Sequence, residues 1–166
     1  MASPLDREPA PTARLVALTG SAMLFGMACF LPAFDAIIDH PVYGGLLLLE
    51  GAGGPFGPLL GSPIHIGWYA NPLLAWLWWR LFQGRKLQHK GAWILSLLAV
   101  AIAASSFLSI SSFEVPTVNW DSGPRRFVRF GPGIFLWLGS IVVAAAGQLY
   151  VFLQAKSPPK KKPTAF

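Results

Sequence analysis

The chain has 166 residues, 54% of them hydrophobic and only 12% charged, with a mean hydropathy of +0.52. Soluble domains carry charge at about a quarter of their positions, so the composition excludes an ordinary water-facing surface. The formal charge of +6 does not point to nucleic acid, because the basic residues flank apolar runs and gather in no domain of their own.

Residues 1–14 form a polar tail with Pro4, Pro9 and Pro11, the composition of a disordered cytoplasmic segment. A charge-free run of twenty residues follows, Leu15–Phe34. At about 1.5 Å per residue it matches the roughly 30 Å hydrocarbon core of a bilayer, and it is the first predicted span. A cleaved signal peptide fits less well: the tail carries Asp6 and Glu8, and the run exceeds a usual signal core. A lipoprotein cleavage before Cys29 would need a Leu-like residue where Gly26 stands. Cys29 is the single cysteine, which excludes an intramolecular disulfide and a cysteine-based zinc site.

Asp35–Pro63 is the first loop, rich in Gly and Pro. Its short apolar runs, Leu46–Leu49 and Leu59–Leu60, suit a surface-lying or re-entrant segment rather than a span. The second span, Ile64–Phe82, holds Asn71-Pro72 near its middle, where Pro predicts a kink. Its far end is crowded with Trp76, Trp78, Trp79 and Arg80, an aromatic belt with a snorkelling cation. A short basic loop leads to the third span, Ala92–Ile110. A polar loop then precedes the fourth, Phe130–Leu153. Residues 155–166 form a basic tail in which Lys160, Lys161 and Lys162 would attract anionic lipid. The predicted fold is therefore an all-α membrane protein: a four-helix transmembrane bundle over residues 15–154 with a Gly/Pro-rich outer loop after the first helix.

Basic residues set the orientation. Arg7 and Arg14, then Arg80, Arg85, Lys86 and Lys90, then Lys156, Lys160, Lys161 and Lys162 fall on one side of a four-span chain. Only Arg125, Arg126 and Arg129 fall on the other, which also holds five of the seven acids. Both termini are predicted cytoplasmic, in a plasma or inner membrane. Small residues at four-residue spacing offer stripes for close helix contact: Ala22 and Gly26, Ala101, Ser105 and Ser109, and Ser140 and Ala144.

The interiors of the four spans contain no ionisable residue, which argues against a proton-coupled transporter or an intramembrane acid–base enzyme. Asn71, Pro72 and Gln148 are the candidates for a ligand contact at a helix break, with interhelical bonding as the plainer reading. Asp35, Asp39, His40, Glu50 and His65 form a weak outer polar set. Carboxylate and imidazole groups suit a transition metal, but their spacing defines no site, and solvated loop groups are the simpler account. Arg125, Arg126 and Arg129 could grip a phosphate or carboxylate, or pair with Glu114 and Asp121. No nucleophile elbow, zinc-helix motif or phosphate loop is present. Neither a catalytic residue nor a cofactor nor a metal is indicated.

Three motif groups carry a resemblance: Cys29-Phe30-Leu31-Pro32, then Trp68-Tyr69-Ala70-Asn71-Pro72-Leu73-Leu74, then Phe135-Leu136-Trp137-Leu138-Gly139-Ser140 after Gly131 and Gly133. In this order, over about residues 15–154, the chain resembles a group of small uncharacterised four-span inner-membrane proteins of bacteria. The start of the fourth span departs from that pattern at Pro132 and Ile134. The resemblance implies topology and a bacterial plasma membrane, and it attaches no activity. Three functions are weighed on these grounds: an accessory or structural subunit of a larger membrane complex or homo-oligomer, a passive conduit or ligand binder at Asn71-Pro72, and an envelope or lipid enzyme using the outer polar set.

Overall fold

The computed structural model describes residues 11–36, 41–52, 66–84, 91–112, 114–115 and 125–156. These residues are mostly helical. Four long helices carry the fold: α1 (Pro11–Phe30), α3 (Ala70–Gln83, preceded by a 3-10 turn over Ile66–Tyr69), α4 (Ala92–Ser112) and α5 (Pro132–Lys156). A short helix, α2 (Gly44–Ala52), lies between α1 and α3. Two helical stretches, Pro11–Phe30 and Pro132–Gln154, are long and apolar enough to cross a membrane. The apolar stretch Trp93–Leu108 of α4 is shorter.

The all-α expectation is corrected by a small sheet built from the loops. Strands β1 (Pro32–Ala36), β2 (Pro41–Tyr43), β3 (Glu114–Val115) and β4 (Arg125–Phe130) pair antiparallel in the order β2-β1-β4-β3. Phe34 lies opposite Phe130 in the central pair. The aromatic and β-branched content of these short segments suits a pleated surface packed on one side. The sheet also moves the ends of the expected spans. The first helix stops at Phe30, because Pro32 cannot continue it. The last begins at Pro132, a residue favoured at a helix's first position, and Phe130 belongs to β4.

The long helices alternate in direction. Residues at the end of α1 and the start of α2 and α5 meet at the sheet, whereas Arg14 at the start of α1 reaches the carbonyls that end α3. α5 is central and packs against α1, α3, α4 and β1. Each helix buries a stripe at helical spacing: Ala17 and Ser21 on α1, Ala70, Leu74, Leu77 and Leu81 on α3, Ala99 and Ala103 on α4, and Ser140, Ile141 and Ala144 on α5. Of the predicted small-residue stripes, Ser140 and Ala144 face the core. Ala22 and Ala101 are exposed, a Cβ on Gly26 would meet nothing within 4 Å, and the Ser105 hydroxyl bonds the Ile102 carbonyl of its own helix. A second cluster, Ala33, Phe34, Val42 and Ile134, seats the sheet on the bundle, with the rings of Phe107 and Phe130 beside it, tilted to one another at 4.8 Å between centroids.

Glycines permit the closest approaches. A Cβ on Gly131 or Gly133 would overlap the carbonyls of Pro32 or Leu31, where α5 begins beneath β1. On Gly147 it would lie 2.5 Å from the Ala17 Cβ, where α5 crosses α1. Such contacts bring backbones together and raise dispersion contact in a bundle.

Candidate functional site

The interior holds a line of polar side chains that ties three helices together. At the α1–α5 crossing, the Ser21 hydroxyl donates to the Ser140 carbonyl at 2.7 Å and accepts from the Trp78 indole N–H of α3 at 2.7 Å. The Ser140 hydroxyl in turn donates to the Trp137 carbonyl one turn earlier, at 2.6 Å. The Trp137 indole N–H donates to Asn71 Oδ1 at 2.8 Å. Ser21 and Ser140 are fully buried. A buried hydroxyl or amide without a partner costs free energy, and here each donated proton ends on a neighbouring helix or the same helix's carbonyl. Trp78 also meets Phe25 edge to face at 5.4 Å, so the node is enclosed by aromatic surface.

Asn71 and Pro72 do not lie in the middle of a continuous helix. Tyr69 occupies the N-cap position of α3 without a side-chain capping bond, so Ala70, Asn71 and Pro72 make up the first turn, entered from the 3-10 turn. A helix's first N–H groups have no intrahelical acceptor, so the missing N–H of Pro72 costs no helical bond. The expected mid-span kink is therefore corrected to a helix start, with Pro72 exposed and Asn71 half-buried against α5. Gln148, about three turns beyond Trp137 along α5, is buried and donates to the Leu77 carbonyl at 3.3 Å, a second α3–α5 bond.

The outer polar set is only partly brought into view. Asp35 lies in β1 and Glu50 in α2, while Asp39, His40 and His65 lie outside the described residues. Among the described residues no group of three His, Cys, Asp or Glu could hold a metal. Arg125, Arg126 and Arg129 all belong to β4. The register sets Arg126 opposite Glu114 and Arg129 opposite Asp35. Asp121 and Lys160, Lys161 and Lys162 lie outside the described residues.

Sequence reasoning missed Trp137, Ser21 and Trp78 as partners in the polar line, and Arg14 as a helix clamp. At the end remote from the sheet, Arg14 Nε donates to the Leu81 carbonyl at 3.1 Å and Nη2 to the Phe82 carbonyl at 3.3 Å. A cation at a helix C-terminus meets the negative end of the dipole and satisfies carbonyls left open there. Gly84, with φ +69, closes over the guanidinium; a side chain there would collide with it. The mid-span Asn and the interior Ser residues were the available signal, but the sequence cannot pair them.

The arrangement can lock helices together. Asn71, Gln148, Ser21 and Ser140 supply hydrogen bonds, and no described group in the line is a titrating acid or base. Compared with protein families, curated proteins and solved structures, the chain matches none.

Proposed function

We propose that the chain is a four-span integral membrane protein of a bacterial plasma membrane, with both termini cytoplasmic, and that it serves as an accessory or structural subunit of a larger membrane complex. The observation that carries this reading is the apolar surface that every long helix turns outward, around a core that also holds polar side chains. Leu15, Met23 and Phe30 on α1, Trp79 and Phe82 on α3, Leu97 and Leu108 on α4, and Phe135 and Leu153 on α5 stand exposed. The buried set includes Ser21, Ser96, Ser140 and Gln148. Apolar surface on every long helix suits lipid or a protein partner and not water.

Helix lengths support the same reading. At 1.5 Å per residue α1, α4 and α5 measure about 30, 31 and 37 Å, and the 3-10 turn with α3 measures about 29 Å, all near the roughly 30 Å thickness of a hydrocarbon core; α1 and α5 are also apolar over a full crossing length, and the apolar part of α4 is shorter. α2, at about 14 Å, is too short to cross and suits the interface. Strand edges need water or protein partners, so the sheet belongs outside the hydrocarbon.

The subunit reading, as against a conduit, rests on the closed polar line. Asn71 Oδ1 is bonded by Trp137, and the Ser21 hydroxyl both donates and accepts. An open aqueous path would instead leave such groups facing a cavity.

Topology is tested with a C-terminal reporter active only outside the cytoplasm. Silence is expected, and activity would exclude both ends inside. The subunit assignment is tested by mild-detergent isolation of the tagged protein at native expression with mass spectrometry. A stoichiometric partner is expected, and a clean monomer would refute it.

A further inference from the structure

The end of α3 holds a charge that no acid among the described residues balances. Arg80 is only 8% exposed, yet it sits in the last turn of α3 with its guanidinium carbon 4.9 Å over the Trp76 ring. A ring face attracts the charge but offers no lone pair to the five N–H donors of a guanidinium. Among the described residues Arg80 has no hydrogen-bond or carboxylate partner. The described acids are Asp35, Glu50 and Glu114, carried by β1, α2 and β3, the sheet and the short helix beside it.

The surroundings add positive charge. Arg14 is held on the carbonyls of Leu81 and Phe82, at the same end of α3, and its Nη1 is buried with no partner among the described residues. In the sequence Gly84 is followed by Arg85, Lys86 and Lys90, and the tail before Arg14 carries Asp6, Arg7 and Glu8. Arg80 is largely buried as a residue, but its guanidinium nitrogens are not among the buried atoms without a partner; an anion that meets such donors stabilises the charge, and phosphate oxygens fit that fork well.

We propose that the Trp76–Arg80 turn of α3 binds the phosphate group of a phospholipid, with Arg80 as the donor and Trp76 as the face that holds its guanidinium in place. The proposal rests on the membrane reading above. In that reading this end of α3 lies at the cytoplasmic headgroup level, where an aromatic residue and a cation commonly meet lipid.

The test is native mass spectrometry of the full chain, delipidated in detergent and then titrated with phosphatidylglycerol, with diacylglycerol, or with glycerol phosphate. Phosphatidylglycerol should be retained and the phosphate-free diacylglycerol should not. Glycerol phosphate should fail to displace the lipid at equal concentration. Arg80→Gln should lower phosphatidylglycerol retention about tenfold or more, the scale of losing a charge-assisted hydrogen bond. Arg80→Lys keeps the charge without the fork and should fall between the two; it also guards against a folding defect in Arg80→Gln, with the thermal midpoint of each delipidated variant as the check. Equal retention of diacylglycerol, displacement by free glycerol phosphate, or unchanged binding in a folded Arg80→Gln would each overturn the proposal. So would a gain in lipid binding when Asp6 and Glu8 are changed to Asn and Gln, because a tail carboxylate would then be the partner of Arg80. Failure of the membrane reading is separately visible, as release of the protein from membranes by alkaline carbonate.

Discussion

The two ends of the bundle are closed by different physics. At the sheet end, backbone meets backbone: Gly131 and Gly133 bring α5 under the Leu31 and Pro32 carbonyls, Gly44 and Gly45 press α2 onto the last turn of α1, and β1 pairs with β4. At the other end, a charged side chain reaches across, and Arg14 gathers the carbonyls that terminate α3. Between them the polar line through Asn71, Trp137, Ser140, Ser21 and Trp78 fixes rotation and depth of the helices. Tight backbone packing has no tolerance for an added side chain. A long flexible cation can be shortened or replaced with modest loss.

That contrast can be broken by substitution, measured as thermal unfolding of detergent-purified protein. The largest effect is expected at the sheet end. Gly133→Val forces a branched side chain against the Leu31 and Pro32 carbonyls and should cost about 3 kcal/mol, or abolish folded protein. A midpoint within a degree of wild type would show that this contact is not tight. Next come Asn71→Leu and Trp137→Phe, each expected to cost about 1–2 kcal/mol. Their double variant should cost clearly less than the sum, because the two share one bond; strict additivity would mean that the bond contributes nothing. Arg14→Gln should cost about 1 kcal/mol, through lost carbonyl bonds and dipole interaction. Its deficit should shrink in high salt, and a salt-independent deficit would assign the effect to packing instead. Smallest is Gln148→Leu, whose single 3.3 Å bond is exchanged for an apolar group of similar volume; less than about 1 kcal/mol is expected, of either sign. A larger loss there would make Gln148 more than a packing contact.

Much of the helical framework was legible locally. The apolar runs announce themselves within one segment. The stripes were harder. Ala22 and Gly26 had the right spacing, but Ala17 and Ser21 face the core, since spacing fixes a face without saying which neighbour it meets. The sheet was not legible, because β1 and β4 lie about ninety residues apart in sequence and each is too short to carry a period of its own. Pro72 misled for a related reason: a proline inside an apolar run reads as a kink unless the helix start is known, and that start is set by the 3-10 turn and the packing of Gly67 against Ser106. Within the candidate site, Asn71 and Gln148 stood out as interior amides, whereas Trp137 looked like any aromatic of an apolar helix.

The sequence by itself determined the apolar character, the long helices and the asymmetry of charge, because each depends on composition and on neighbours a few residues away. Tertiary structure alone decided that the loops pair into a sheet, that Asn71 accepts from Trp137, that Arg14 clamps α3, and that Arg80 is buried beside Trp76 with no acid among the described residues next to it. Each of these joins residues remote in the chain, and a hydrogen bond or a buried charge acquires its meaning only from the group that folding sets beside it.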